Sequence, residues 1–489
     1  MLFNSVEFLV FFPVVTALHF ALPFRFRWAL LLAASCLFYM AFVPWYILIL
    51  AFTIAVDYAA GLLIGRAAGF RRKLILAASI VSNFGILAVF KYYNFLGENL
   101  GALAHFLHWN YSPATLALIL PVGLSFHTFQ ALSYTIEVYH GRQRPEAHFG
   151  IYALYVMFYP QLVAGPIERP QNLLAQFRRP QQFDYDRVVD GLKLMLVGFF
   201  KKVVIADNLA ADVNLVYANP GAHAGLPLLI ATVFFAYQIY CDFSGYSDIA
   251  RGSARVMGIE LMVNFRRPYF AASIADFWRR WHISLSTWFR DYLYIPLGGS
   301  RGTGLQTGRN LLIIFLASGL WHGASWLFVI WGALHGLYFV AGRLTRRGRE
   351  RLANFTGLSR LPRVRKAFGV VTTFALVCVA WIFFRAQSVE DATYIVTHLF
   401  TGADKLIAHP TNLNEWRKSF GGLGLGMVKI ALLSGLLFEG LNYLHARFDL
   451  RRWWRGLPVA IRWAGYYGVV VWILVFGNSG AAQFIYFQF

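Results

Sequence analysis

The sequence predicts an all-α, polytopic membrane protein of about 11 transmembrane helices plus re-entrant and interfacial ones, and three observations carry that expectation. Hydrophobic residues make up 58% of the 489 and charged residues only 14%, against roughly 45–50% and 25% in soluble domains. A soluble fold cannot hide that much apolar surface, so much of the exterior has to face lipid. Apolar runs long enough to cross a hydrocarbon core of ~30 Å recur about every 30–40 residues. Lys and Arg number 44 against 23 Asp and Glu, a net +21, and they collect between the runs as they do in cytoplasmic loops. No basic segment alternates with base-stacking aromatics in a soluble module, so nucleic acid is not expected as a partner.

In chain order the runs fall near 5–22, 28–43, 45–65, 74–95, 116–138, 190–206, 225–250, 310–342, 367–385, 420–445 and 457–477. Arg25 and Arg27 separate the first two, and Arg66, Arg71, Arg72 and Lys73 follow the third. The positive-inside rule puts both loops in the cytoplasm and the N-terminus outside. The 97–115 loop agrees, with Glu98 as its only charge. No basic residue precedes the first run, which predicts a retained anchor and not a cleaved signal. No hydrophilic linker and no internal repeat interrupts the pattern, so residues 1–489 are expected to form a single membrane domain. Cys36, Cys241 and Cys378 lie far apart in apolar stretches and form no metal or disulfide spacing, so no metal site is expected.

Two stretches depart from simple spans. Residues 150–168 are apolar but contain Pro160, Gly165 and Pro166. That punctuation predicts a re-entrant or broken helix, allowed at depth only where protein or water satisfies the backbone. From Asn310 to Gly342 no charged residue occurs for 33 positions. One helix of that length would be ~50 Å long, well past the hydrocarbon core. Both flanks are basic, with Arg301 and Arg309 before and Arg343, Arg346 and Arg347 after. A pair of shorter helices, or a bent one, satisfies both facts, with a break near Gly319 to Gly323 and Trp321-His322-Gly323 in the membrane interior.

An ionisable residue at membrane depth costs at least ~2.5–3.5 kcal/mol when charged, so it is a functional candidate by default. Of thirteen histidines, His322 has the strongest case. Ser318 at i−4, Ser325 at i+3 and Trp326 at i+4 place hydroxyls and an aromatic wall around it on a continuous helix. A neutral imidazole there can take a proton from a hydroxyl without a metal. A histidine merely packed between helices through one hydrogen bond is the other reading of the same pattern. His282 lies at the edge of a stripe formed by Trp278, Trp281, Leu285, Trp288 and Phe289, with Arg279, Arg280 and Arg290 pointing elsewhere. The spacing predicts one amphipathic helix at the inner interface, with its apolar side on lipid or protein. His335, about 220° round from His322, is expected to be structural. Asp242 and Asp248 interrupt an apolar run and are expected to pair with Arg251 or Arg255 across a helical turn.

Other strings carry no chemistry. Gly298-Gly299-Ser300-Arg301-Gly302 fits G-x-S-x-G, but no strand-to-helix elbow is available to hold it. His445 to Asp449 is an H-x-x-x-D string at the end of an apolar helix and is read as chance.

Several longer strings together resemble a known family. They are Leu120-Pro121-Val122-Gly123-Leu124-Ser125-Phe126, Gln130-Ala131-Leu132-Ser133-Tyr134, Pro160-Gln161-Leu162-Val163-Ala164-Gly165-Pro166-Ile167, and Asp242 to Asp248. The Phe277 to Arg290 segment with Tyr294-Ile295-Pro296-Leu297-Gly298-Gly299, the Ser318-Gly319-Leu320-Trp321-His322-Gly323 string, and the closing Phe484-Ile485-Tyr486-Phe487-Gln488-Phe489 complete the set. The chain is similar to the membrane-bound O-acyltransferases, and within them to the bacterial alginate O-acetyltransferase branch.

The resemblance implies a ring of helices around a central catalytic tunnel, with a cytoplasmic entrance and an extracytoplasmic funnel. His322 matches the catalytic histidine and His282 the second polar site. The implied reaction takes acetyl from a cytoplasmic donor, acetyl-CoA, and passes it across the bacterial inner membrane to an exported polysaccharide such as alginate. His322 would serve as general base or accept the acetyl itself. No cofactor is implied as permanently bound; acetyl-CoA enters as substrate. The implied partners are membrane lipid, an extracytoplasmic SGNH-hydrolase-like acetyltransferase with a nucleophilic Ser, and the polysaccharide synthesis and secretion machinery.

Arg266, Arg267, Arg279 and Arg280 are the candidate phosphate partners of the donor, lipid headgroups being the other. Ser318, Ser325, Trp321 and Asp242 are candidate substrate contacts. Gln306 stands where relatives often carry a basic residue, which weakens one inner phosphate contact. D-alanyl or other acyl transfer to a cell-envelope polymer, a transporter or flippase, and a secretion scaffold are the competing functions. The enzymatic reading requires an uncharged imidazole reached by a thioester from the cytosol and by an acceptor from outside.

Overall fold

The computed structural model describes residues 1–111, 113–408, 425–448, 450–478 and 484–485. His409, Asp449 of the H-x-x-x-D string and residues 486–489 of the closing motif lie outside the described residues, and the run near 420–445 is described from Leu425. Helices and turns account for the secondary structure, with no strand among the described residues. Among the described residues, six helical segments are long and apolar enough to cross a membrane: Pro44–Arg66, Gly69–Phe106, Leu226–Val256, Trp326–Leu344, Pro362–Arg385 and Val459–Phe476. The remaining apolar runs fold as Val6–Ala21, Phe24–Met40, Leu124–Tyr139, Tyr185–Phe199, Gly304–His322 and Leu425–Arg447. Their outward faces are apolar, as at Leu9, Val10, Leu474 and Val475. The protein is an all-α polytopic membrane protein.

Contacts between loops sort the helix ends into two faces. Arg27 donates through Nη1 to the Gln181 carbonyl, Arg72 to the Val138 carbonyl at 2.9 Å, and Arg178 pairs with Glu146. Gln176 bonds both the N–H (2.7 Å) and the carbonyl (2.9 Å) of Glu260. These bonds gather the Arg-bearing ends on one side, which the positive-inside rule makes cytoplasmic. The Arg346–Phe355 helix adds to that charge; there the Arg346 hydrogen bond holds the Glu350 carboxyl below its ordinary range. At the other ends the chain closes through Gly225 N–H to the His398 carbonyl at 2.8 Å, Tyr46 to Ile119 at 2.6 Å and Asn94 to Leu116 at 2.9 Å.

Residues 150–168 form the broken helix that the prolines predict. Phe149–Met157 ends at Phe158, Tyr159–Leu162 makes one more turn, and the chain then runs irregularly to Arg169. Side chains of neighbouring elements satisfy its backbone. Ser35 accepts from the Tyr159 N–H at 3.0 Å, Gln130 accepts from the Glu168 N–H at 2.8 Å, and Gln130 and Gln161 both donate to the Tyr155 carbonyl at 3.1 and 2.9 Å. Protein supplies here what lipid cannot.

The long uncharged stretch is a helical hairpin. Gly304–His322 rises from a capping box between Thr303 and Gln306, and Trp326–Leu344 returns. The break begins at Gly323, the last position of the expected window, and runs to Ser325. A glycine on each arm lets the two touch: a Cβ on Gly319 would stand 2.2 Å from the Phe328 carbonyl oxygen, and one on Gly332 would stand 2.3 Å from that of Phe315. Small residues at a crossing permit such backbone approach in membranes.

One expectation fails. The segment around His282 is not one amphipathic helix but two short ones, Ile274–Trp278 and Ile283–Phe289, joined by a turn in which His282 has φ +41°. Its stripe faces protein, one of the two surroundings expected for it: Trp281, Leu285, Trp288 and Phe289 are buried. The 3–4 spacing of aromatic residues arises because both short helices pack inward.

Candidate active site

His322 is the last residue of the ascending hairpin arm, held at depth by three features of local sequence. Gly323 leaves the helix in extended conformation, and Ser325 caps the return arm by accepting from the Leu327 N–H at 3.3 Å. Lys91 and Tyr92 close the open end. Lys91 Nζ donates to the carbonyls of Trp321 at 2.7 Å and His322 at 2.9 Å, and Tyr92 donates to that of Leu320 at 2.6 Å. These carbonyls belong to the last turn, which has no intrahelical partners to offer them. Both residues come from a π-helical bulge at Ala88–Tyr92, a feature common at functional sites.

Aromatic rings enclose the imidazole. Trp321, Trp331 and Phe384 meet the His322 ring edge-on at centroid distances of 4.9, 5.0 and 5.2 Å. His322 is 5% exposed and His282 is fully buried. The passage to both leaflets that the sequence reading requires is therefore closed at His322 by packed rings in this conformation, and a thioester reaches the imidazole only if some of them move.

His282 and His322 flank one indole. The Trp321 ring lies 6.0 Å from that of His282, 5.2 Å from Phe126 and 5.5 Å from Phe129. Phe129 stacks on Trp288 at 3.8 Å, and Trp288 Nε1 donates to the Phe129 carbonyl (3.0 Å) and to Ser133 (3.1 Å). Phe243 closes the far side of His282 at 4.7 Å. Trp321 Nε1 is buried with no hydrogen-bond partner among the described residues. A buried N–H without a partner costs free energy, and beside two imidazoles it is a donor available to a reacting carbonyl.

The αL turn at His282 is fixed by Asn264. Its carbonyl accepts from the Ile283 N–H at 3.0 Å, and its Oδ1 accepts from the N–H (3.1 Å) and Oγ (3.0 Å) of Ser284. The Arg266 N–H bonds the Arg280 carbonyl at 2.9 Å, so Arg266, Arg267, Arg279 and Arg280 are brought side by side. Arg266 and Arg279 are exposed, while Arg280 is ion-paired with Asp276 at 3.0 Å.

Other predicted residues sit differently. Ser318 is buried one turn before His322, but Ser325 is a helix cap, because the helix that would have placed it beside the imidazole stops at His322. Asp242 does not pair with an arginine; it pairs with Lys202 at 2.6 Å, and Lys202 also holds Asp207 at 2.8 Å. Its second oxygen accepts from the Ile485 N–H at 2.9 Å. Asp248 does reach Arg251, at 3.4 Å, together with Lys201 at 2.6 Å, whereas Arg255 pairs with Glu260. His335 is structural, its Nδ1 bonded by Trp278 Nε1 at 3.3 Å. Gln306 serves the capping box, its side chain accepting from the Thr303 N–H at 2.9 Å. Lys91 and Lys202 carry a signal in the sequence itself: each is a cation inside an apolar run.

Comparison with known proteins identifies the family. Residues 147–383, which include His282, His322 and most of the hairpin's surroundings, match the membrane-bound O-acyltransferase family. The chain is 39% identical to the Pseudomonas aeruginosa protein named "Probable alginate O-acetylase AlgI", over 91% of this chain and 82% of that one. A Pseudomonas putida protein of the same name is 36% identical over the full length of both. The Helicobacter pylori protein named "Peptidoglycan O-acetyltransferase" is 35% identical over 75% of this chain and 72% of that one. This chain is an acyltransferase and belongs to the membrane-bound O-acyltransferase family.

Proposed function

We propose that the protein takes acetyl from acetyl-CoA at the cytoplasmic face and passes it across the bacterial inner membrane for O-acetylation of an exported polysaccharide. The observation that supports this reading is a buried His322 at the tip of a hairpin whose two ends lie on the basic face. The relatives named for alginate and peptidoglycan O-acetylation support acetyl as the group moved, and a cell-envelope glycan as its destination.

In the proposed step the acceptor hydroxyl oxygen attacks the thioester carbonyl. The new C–O bond forms, the C–S bond breaks, and the hydroxyl proton moves to His322 and then to the departing thiolate. Trp321 Nε1 is suited to bond the oxyanion that develops. In this reading Arg266, Arg267 and Arg279 meet the donor's phosphates from the cytoplasm. The first acceptor is a hydroxyl of an exported partner with a nucleophilic Ser, which then acetylates the polymer beside the synthesis and secretion machinery.

The test is His322→Ala in purified, reconstituted protein, with transfer of labelled acetyl from acetyl-CoA as readout. A loss of at least ~100-fold with an unchanged unfolding temperature is expected from removing a general base. Wild-type transfer by that variant would overturn the assignment.

A further inference from the structure

A second polar site lies at the cytoplasmic end of the first two helices. A cavity of about 170 Å³ opens there, lined among others by His19, Arg25, Arg27, Trp28, Leu154 and Arg178. It is far larger than the ~10–15 Å³ that holds one water, and it shares no lining residue with the rings around His322 and His282. Its floor is apolar, formed by Leu31, Leu154, Phe177 and Ile259, all buried.

Its charge is unbalanced. Glu146 neutralises Arg178, but neither Arg25 nor Arg27 has a carboxylate partner among the described residues. Arg27 is held in place by backbone carbonyls, through Nε to Leu22 at 3.0 Å and through Nη1 to Gln181. Its cation is thus positioned without being neutralised. His19 also lines the cavity, 1% exposed, with its ring against the Met257 backbone.

We infer that this cavity binds the phosphate of an anionic phospholipid from the inner leaflet. Arg25 and Arg27 meet the phosphate oxygens, and His19 bonds a deeper headgroup or glycerol oxygen. Basic pockets between transmembrane helices on the cytoplasmic side hold anionic headgroups in this way. Position and lining favour a lipid over a soluble phosphate compound. The site sits where two membrane helices end, beside an amphipathic Trp28, and the Val6–Ala21 helix leads up to it with Val10, Val14 and Leu18 exposed along one face.

The full chain in phosphatidylcholine nanodiscs, titrated with phosphatidylglycerol and read by native mass spectrometry, tests this. Wild type should retain phosphatidylglycerol at least about tenfold better than phosphatidylcholine, as two cations facing one phosphate predict. Arg25→Gln with Arg27→Gln should abolish that preference, and Arg25→Lys with Arg27→Lys should keep most of it. Equal retention of both lipids by wild type would overturn the inference, as would an undiminished preference in the double Gln variant. Displacement of phosphatidylglycerol by coenzyme A would overturn it too, by assigning the site to a soluble phosphate compound. Should the double Gln variant fail to fold, the wild-type preference and the coenzyme A competition decide the matter.

Discussion

Replacing Lys91 by Met tests whether the capped end of the hairpin positions the imidazole. Lys91 Nζ closes two carbonyls, those of Trp321 and His322. Met keeps the length and apolar stem of the side chain but donates nothing. Each buried carbonyl left without a donor costs about 1–3 kcal/mol, so the pair costs about 2–6 kcal/mol if nothing relaxes. Freeing a buried amine from its own desolvation offsets part of this. The net loss of stability should therefore be modest, and the larger consequence should be geometric. The last turn can regain partners only by shifting, and a displacement of ~1 Å at a reacting group can cost about a hundredfold. Lys91→Met should lower turnover at saturating acetyl-CoA by at least about tenfold with little change in KM, while Lys91→Arg restores part of it. The assay is acetyl transfer by reconstituted protein beside a thermal unfolding curve. Wild-type turnover in Lys91→Met would show that the carbonyl bonds do not position His322.

Further outcomes follow from the same geometry. Trp321→Phe retains the ring against Phe126 and Phe129 but removes the unpartnered N–H, so it should lower kcat by about 10²–10³ if that donor meets an oxyanion, and leave the unfolding temperature near wild type. Lys202→Met leaves Asp207 and Asp242 buried without their cation and should destabilise by about 3–5 kcal/mol, read as a lower midpoint in thermal unfolding. His282→Asn should keep that midpoint because Asn tolerates the left-handed region, whereas His282→Val should lose at least ~1–2 kcal/mol from backbone strain alone; equal midpoints would refute the strained turn.

The sequence made the helices legible and their interruptions only partly so. Transmembrane runs announce themselves because lipid burial has a compositional signature, and the hairpin was readable from uncharged length between two basic flanks. The prolines and glycine of 150–168 marked its break for a similarly local reason. What stayed hidden depends on partners far along the chain. Lys91 acts on residues 230 and 231 positions away, and Lys202 on Asp242, 40 away. Periodicity misled at Trp278 to Phe289, because two helices packing inward across a turn mimic the stripe of one. The same extrapolation put Ser325 beside His322, although a helix ending at His322 turns Ser325 to another task. A left-handed residue such as His282 leaves no trace in hydropathy; its support, Asn264, is eighteen positions upstream.

The hairpin also settles a matter of parity. An arm that ascends and an arm that descends add no net crossing, so every segment after Arg346 has the sidedness it would have without them. Excising both arms together would leave downstream reporters on the compartment they already occupy, whereas excising one would invert all of them. The imidazole accordingly lies at the apex of a loop whose two feet share one compartment.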